Sequence, residues 1–222
     1  MHSMNILDNT LFTNYLDDLE KRLPSLGPSR SSLAAAADLL VMAFDGGSKL
    51  LVCGNGGSAA DSEHIVGELM KGFVRRRRLD SDSQDMLMEI DPELGEVLSA
   101  GLQEALPAIA LTGHLSLRTA VSNDNGGDLP FAQQVWGYGR PGDVLWAIST
   151  SGNSRSVLLA AVAAKARGMS VLAMTGCEGG RLAKLADVCI RAPSSETYRA
   201  QEEHMAIYHT LCLAIEHRFF PG

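Results

Sequence analysis

Val144-Leu145-Trp146-Ala147-Ile148-Ser149-Thr150-Ser151-Gly152-Asn153-Ser154 passes from an unbroken apolar run into a hydroxyl-rich turn, and a helical pattern from Ser154 to Arg167 follows. A short apolar run without alternation has the form of a strand buried on both faces of a parallel sheet. Lys49 to Cys53, Ala108 to Leu111, Val171 to Met174 and Val188 to Ile190 are runs of the same kind. Further helical patterns lie at about Ser58 to Gly72, Asp128 to Gly137 and Arg199 to Phe220. This recurrence of apolar run, polar turn and helix predicts an α/β fold, a doubly wound sandwich with a central parallel sheet of about five strands.

Ahead of that rhythm stand two helical patterns. Leu11, Tyr15, Leu16 and Leu19 recur at helical spacing, Leu26-Gly27-Pro28-Ser29 interrupts them, and Ser29 or Ser31 is placed to cap a second helix. Ala34 to Phe44 is apolar nearly all round, so this helix is either central to the fold or an oligomer contact. Residues 1–47 are therefore assigned to subunit contacts. One segment breaks the rhythm: Arg75-Arg76-Arg77-Arg78 and then an acidic stretch from Asp80 to Glu104, with a short helix near Glu93 to Leu102. Residues 73–105 read as a solvated surface insertion in a single domain of residues 1–222, the arginines neutralised by the acids just downstream.

Nineteen Lys and Arg against 26 Asp and Glu leave the 222 residues with a net charge of −7, which argues against a general nucleic-acid binder. With 45% apolar and 20% charged residues the composition is that of an ordinary globular chain, not a disordered one. No apolar stretch is long enough for a membrane span, and Met1-His2-Ser3-Met4-Asn5 has no leader pattern. Cys53, Cys177, Cys189 and Cys212 lack a C-x-x-C spacing and read as buried thiols of a reducing, cytoplasmic protein.

Two turns carry chemistry. Gly54-Asn55-Gly56-Gly57-Ser58 joins a strand to a helix at the carboxyl end of the sheet, where glycines let backbone N–H groups approach an anion. It matches neither G-x-G-x-x-G nor the Walker pattern, and the alternative to anion binding is a simple connecting turn capped by Ser58. Ser149, Thr150, Ser151 and Ser154 supply more hydroxyls than a cap needs, enough to surround a phosphate without a cationic side chain. His64 and Glu68 stand four apart on the helix that starts at Ser58, a spacing that more often marks a surface contact than a ligand pair. On the last helix Gln201 and His209, eight apart, share a face, whereas His204 and His209 do not align.

The two turns together resemble those of the sugar isomerase (SIS) domain and, within it, the phosphoheptose isomerases, from about Lys49 to Glu216 apart from the insertion. The resemblance implies that Ser149, Thr150, Ser151 and Ser154 hold the sugar phosphate, with Asn55, Gly56, Gly57, Ser58, Asn123 and Asp124 on the substrate. It also implies one zinc ion per site on His64, Glu68, Gln201 and His209, with Gln201 and Glu68 touching substrate as well. Glu68 would act as general base and His209 as general acid in converting sedoheptulose 7-phosphate to D-glycero-D-manno-heptose 7-phosphate through an enediol. The family implies a homotetramer whose sites lie between subunits, so the four ligands are expected not all to come from one chain. The competing reading is a phosphosugar-binding oligomeric regulator of the replication-initiator-associating type, a branch without the equivalents of Glu68 and His209. Gly72 departs from the family, standing where an arginine is common near the substrate, with Lys71 and Arg75 as neighbours able to supply that charge. Ala59-Ala60, beside the glycine turn, replaces bulkier residues.

Overall fold

The structure is a computed structural model describing residues 9–221, with side-chain surroundings from Phe12 onward. Met1-His2-Ser3-Met4-Asn5 and the side chain of Leu11 lie outside the described part. All five apolar runs are strands: β1 (Leu50–Cys53), β2 (Ala108–Ala110), β3 (Val144–Ser149), β4 (Ser170–Thr175) and β5 (Val188–Arg191). They form one parallel sheet in the order β2-β1-β3-β4-β5, with Cys53 opposite Ala147 where β1 meets β3.

The helices are α1 (Asn9–Arg22), α2 (Arg30–Asp45), α3 (Gly57–Met70), α4 (Ser81–Ile90), α5 (Pro92–Gly101), α6 (Leu115–Asp124), α7 (Pro130–Tyr138), α8 (Arg155–Ala166), α9 (Leu182–Leu185) and α10 (Thr197–Phe219). Side chains alternate along each strand, so both faces of the sheet are buried. Val144, Trp146 and Ile148 point into a core with α1, α2, α3 and α10, while Leu145 and Ala147 point into a second core with α7 and α8. Truncating a fully buried leucine such as Leu51 to alanine costs about 2–5 kcal/mol in such a setting. No helix of the described residues is long and apolar enough to cross a membrane.

Most of the apolar surface of α2 enters the first core, and Met42 is left 60% exposed. Ser29 precedes α2 in helical conformation and makes no side-chain cap; its hydroxyl donates to the Arg191 carbonyl at 2.8 Å. The reason is local: Pro24–Ser29 is already a 3₁₀ helix running straight into α2, which leaves no free helix start for Ser29 to cap. The described cysteines are free thiols; Cys53 and Cys212 are buried, Cys177 and Cys189 only half-buried.

Residues 73–105 contain two helices where the sequence pattern pointed to one. Asp80 caps α4, accepting from the Ser83 N–H at 2.7 Å, and Asp91 caps α5, accepting from the N–H groups of Glu93 and Leu94 at 3.0 Å. The pair packs chiefly on itself, with Gly95 against Leu87, where a Cβ would come within 2.5 Å of the Leu87 carbonyl. Its ends are held together by an antiparallel bridge between Arg78 and Gln103 and by the Glu104 N–H, which donates to the Arg77 carbonyl at 2.8 Å.

The arginine run is not simply solvated. Arg77 is buried and pairs with Glu216 of α10, at 3.0 Å, with both side chains 0% exposed. Glu216 also accepts from the N–H groups of Phe73 at 2.7 Å and Val74 at 2.9 Å, and these bonds hold its carboxyl below the usual carboxylate range despite burial. Arg77 in turn donates to the carbonyls of Leu69 at 2.6 Å and Glu68 at 2.9 Å. The carbonyls at the end of α3 have no helical partner, and this guanidinium satisfies two of them.

Candidate active site

Because β1 and β3 are neighbours, the turns that leave them lie side by side at the carboxyl edge of the sheet. Asn55 joins them: its amide donates to the hydroxyls of Ser154 and Ser156, each at 2.9 Å. Gly56 takes φ +58° and occupies the N-cap position of α3. Ser58 therefore sits inside the first turn, 3% exposed, and does not cap the helix. At Gly57 a Cβ would come within 2.5 Å of the Gln201 amide, so the missing side chain is what lets α10 rest on this turn.

The second turn is clamped from behind. Gly152 has φ +63°, and a Cβ there would lie 2.1 Å from the Gly179 carbonyl. The Thr150 carbonyl accepts from Gly176, the Gly152 carbonyl from Leu182, both at 2.9 Å, and Asn153 Oδ1 accepts from the Arg181 N–H at 3.1 Å. Ser149 is buried, Thr150 and Ser154 are half-buried and Ser151 is exposed, so the four hydroxyls grade from the sheet edge to solvent.

A cavity of about 460 Å³ opens beside the first of these turns, lined among others by Asn55, Arg118, Ser122, Asn123, Phe131 and Ser156, while Ser149, Thr150, Ser151 and Ser154 are not part of its lining. Asn123 is thus brought to Asn55, while Asp124, whose carboxylate accepts from the Asn123 amide at 2.9 Å, is not part of the lining. Arg118 was not foreseen; it donates to the Thr112 carbonyl at 2.6 Å, and its guanidinium carbon lies 5.9 Å from the Phe131 ring centroid. The signal for it was the polar turn Thr112-Gly113-His114 after the β2 run, which announces a following helix as the other turns do. This cavity does not extend to His64, Glu68 or His209.

Those three form a second cluster, seven and more residues along α3 from the glycine turn, roughly 10 Å or more by helical rise. His64 Nε2 lies 3.0 Å from Glu68 Oε1, and the His64 and His209 rings meet edge to face with centroids 5.0 Å apart. Tyr208 lies 2.9 Å from His64 Nδ1, a hydroxyl donating to that nitrogen and leaving Nε2–H for Glu68. Glu68 is 9% exposed, and its other oxygen takes the Lys71 ammonium at 3.1 Å. Burial and the His64 charge, opposed by Glu68, lower the His209 pKa below the ordinary histidine range. One chain therefore brings His64, Glu68 and His209 together, but not Gln201, whose amide rests on Gly57. His204, by contrast, is buried against β4, where its Nε2 donates to the Thr175 carbonyl at 3.1 Å.

Gly72 acquires a structural reason: a Cβ there would sit 2.1 Å from the Arg75 carbonyl, so no arginine fits this position. The charge near Glu68 comes from Lys71, because Arg75 donates to the Phe220 carbonyl at 3.1 Å. Asp61 also escaped notice, although it stands three residues before His64 and seven before Glu68 on the same face of α3. It is 7% exposed, one carboxylate oxygen has no partner, and burial raises its pKa to about 6 against the lowering effect of His64.

Among the described residues no group of three or more His, Cys, Asp and Glu side chains is spread into a ready metal cage, since His64 and Glu68 bond to each other. In kind His64, Glu68 and His209 suit zinc, with two imidazoles and a carboxylate, whereas the Gln201 amide rests on Gly57 and is not brought to them. The buried Nε2 of His209 has no hydrogen-bond partner, the state of a nitrogen that an ion or ligand would satisfy.

The SIS domain model matches residues 14–90 and 80–176. A phosphoheptose isomerase of Rhodospirillum rubrum is 40% identical over 191 residues, 86% of this chain and 88% of its own length. The structure of the phosphoheptose isomerase from Neisseria gonorrhoeae superposes with a TM-score of 0.68 at 34% identity, covering 93% of this chain and 94% of that one. That from Francisella tularensis gives 0.69 at 33% identity, covering 90% and 97%. With the paired turns at the sheet edge and these relatives along nearly its whole length, the chain belongs to the SIS-domain phosphoheptose isomerase family and is an isomerase.

Proposed function

We propose that the chain converts sedoheptulose 7-phosphate to D-glycero-D-manno-heptose 7-phosphate. The observation that carries this reading is the buried Glu68 carboxylate gathered with His209 around His64, an acid/base set on a phosphosugar fold. The names of the relatives support the choice of a heptose phosphate. Ser149, Thr150, Ser151 and Ser154 hold the phosphate, and Asn55, Gly56, Gly57, Ser58, Asn123, Asp124 and Gln201 orient the sugar. A net charge of −7 does not oppose this, because hydroxyls and backbone N–H groups at a helix start bind phosphate without cations.

Glu68 removes a proton from C1, the hydroxymethyl carbon beside the C2 ketone. The C–H electron pair becomes the C1=C2 bond of an enediol, and the carbonyl pair goes to O2, which His209 protonates. His209 then takes the proton from O1 as the C1 aldehyde forms, and Glu68 returns its proton to C2. Burial favours the neutral form of His209, and one ring nitrogen can give a proton to O2 and take one back from O1, leaving the other nitrogen for a metal. His64, Glu68 and His209, with Gln201 as fourth donor from across a subunit contact, would hold one zinc ion, which would supply Lewis-acid polarisation of the carbonyl when bound. The working unit is read as a cytoplasmic homotetramer; the exposed Met42 on α2 supports a subunit contact there.

A coupled assay across ketopentose, ketohexose and ketoheptose phosphates tests the reading. Glu68→Gln is expected to abolish isomerisation while phosphosugar binding survives, chelation to remove activity and zinc to restore it. A wild-type chain inactive on every ketose phosphate would favour the regulator, and a monomer by light scattering would count against the assembly.

A further inference from the structure

We propose that the cleft between the α4–α5 pair and residues 76–78 is a second small-molecule site, for a phosphorylated polyol or sugar, separate from the turns after β1 and β3. The cleft has a volume of about 470 Å³, within the range of small-ligand pockets, and Arg76, Arg78, Gln84, Asp85, Glu96 and Ser99 are among its lining residues.

Arg77 sets its chemistry. The Arg78–Gln103 bridge makes this stretch strand-like, and in extended backbone alternate side chains project to one side. With Arg77 drawn inward to Glu216 and the end of α3, Arg76 and Arg78 are both sent into the cleft. Neither forms an ion pair within 4.0 Å among the described residues, although Asp85 and Glu96 line the same space. Elsewhere such charges do pair, as Arg22 does with Asp18, Arg30 with Asp17 and Glu20, and Arg218 with Asp45. The hydroxyl of Ser99 is buried and has no partner.

Two guanidiniums and two carboxylates held apart in one cleft ask for a ligand with both kinds of group. A bare anion would answer the arginines and face Asp85 and Glu96 unfavourably; a cation would do the reverse. A phosphate between the guanidiniums, with hydroxyls donating to the carboxylates and to the free oxygen of Gln84, satisfies all of them. Gln84 uses its amide nitrogen on the Leu79 carbonyl at 2.7 Å, which leaves the oxygen available. This site stands whether or not the chain acts on a heptose phosphate.

Titration calorimetry of the full chain with sorbitol 6-phosphate, which has no carbonyl to isomerise, tests the proposal. Two equivalents per chain are expected. Arg76→Gln with Arg78→Gln should weaken one of them by about tenfold or more and spare the other. Ser151→Ala with Ser154→Ala should do the opposite. Asp85→Ala with Glu96→Ala removes both the acceptors for the hydroxyls and the repulsion of a bare anion, and should abolish the second site's preference for sorbitol 6-phosphate over inorganic phosphate. Arg76 and Arg78 are exposed, so an unchanged circular dichroism spectrum is expected of that variant. Binding that persists undiminished in the arginine variant, whether one equivalent or two, would overturn the site. Inorganic phosphate binding as tightly as the polyol phosphate would overturn the ligand class.

Discussion

Replacing Glu216 by glutamine removes one charge and changes almost no volume, yet it should be among the most damaging substitutions in this chain. Glu216 Oε1 accepts from Phe73 N–H at 2.7 Å and from the Arg77 guanidinium at 3.0 Å, and Oε2 accepts from Val74 N–H at 2.9 Å. An amide has only one accepting atom. Whichever way it turns, its NH₂ faces a donor and Arg77 is left buried without a counter-charge. Breaking a buried pair by removing one partner costs about 3–5 kcal/mol, which for a chain of this length lowers Tm by roughly 6–20 °C. The pH dependence has a definite sign. The folded-state pKa of Glu216 is depressed, so its contribution is present above the unfolded value of about 4.5 and is lost as pH falls through the folded value. Scanning calorimetry of the wild type and Glu216→Gln at pH 7 and pH 4 should show a gap that narrows in acid. A variant within about 2 °C of the wild type at pH 7 would refute the assignment of this pair as the anchor of residues 72–77.

Three further outcomes follow from geometry already described. Gly152→Ala combines a left-handed backbone with a Cβ 2.1 Å from the Gly179 carbonyl, so a loss of about 2–4 kcal/mol is expected in urea denaturation, while Gly137→Ala, with nothing within 4 Å, should be neutral or mildly stabilising. Asn55→Ala removes both bonds between the turns and should raise KM for a phosphosugar about tenfold with little change in kcat; the reverse split would show that Asn55 does not position the phosphate turn. His204 has a lowered folded-state pKa through burial, so its contribution is full above pH 6.5 and erodes below it, with a slope of at most about 1.4 kcal/mol per pH unit. Urea midpoints measured from pH 7 to pH 5 should fall less steeply for His204→Gln than for the wild type.

The central strands β1, β3 and β4 were legible because a strand covered on both faces needs a continuous apolar run; β2 and β5, at the sheet edges, are only partly buried but keep the same short apolar form. Helices that bury little left no such mark. No residue of α4 is fully buried and only Val121 of α6 is, so neither needed an apolar face; the Asp80 cap was the available signal for the first. The turns after β1 and β3 were legible from their glycines and hydroxyls, and the structure adds Asn55 as the tie between them. Arg77 was opaque for a different reason. Its partner is 139 residues away, and a run of arginines beside acids looks locally neutralised whether or not those acids are the ones it meets. Gly72 looked like a lost charge until its backbone environment was known, whereas Asp61 was in plain view at helical spacing from His64 and Glu68.

The turns after β1 and β3 spring from strands that share a hydrogen-bonded ladder, with Cys53 opposite Ala147. The distance between the two turns is therefore ruled by the sheet and fixed during folding. A ligand arriving there has no loop to order, so little of its binding free energy is spent on stiffening the protein. The same ladder makes the spacing quantised: a one-residue slip between β1 and β3 would displace one turn by about 3.3 Å, more than any side-chain adjustment of Asn55 could bridge.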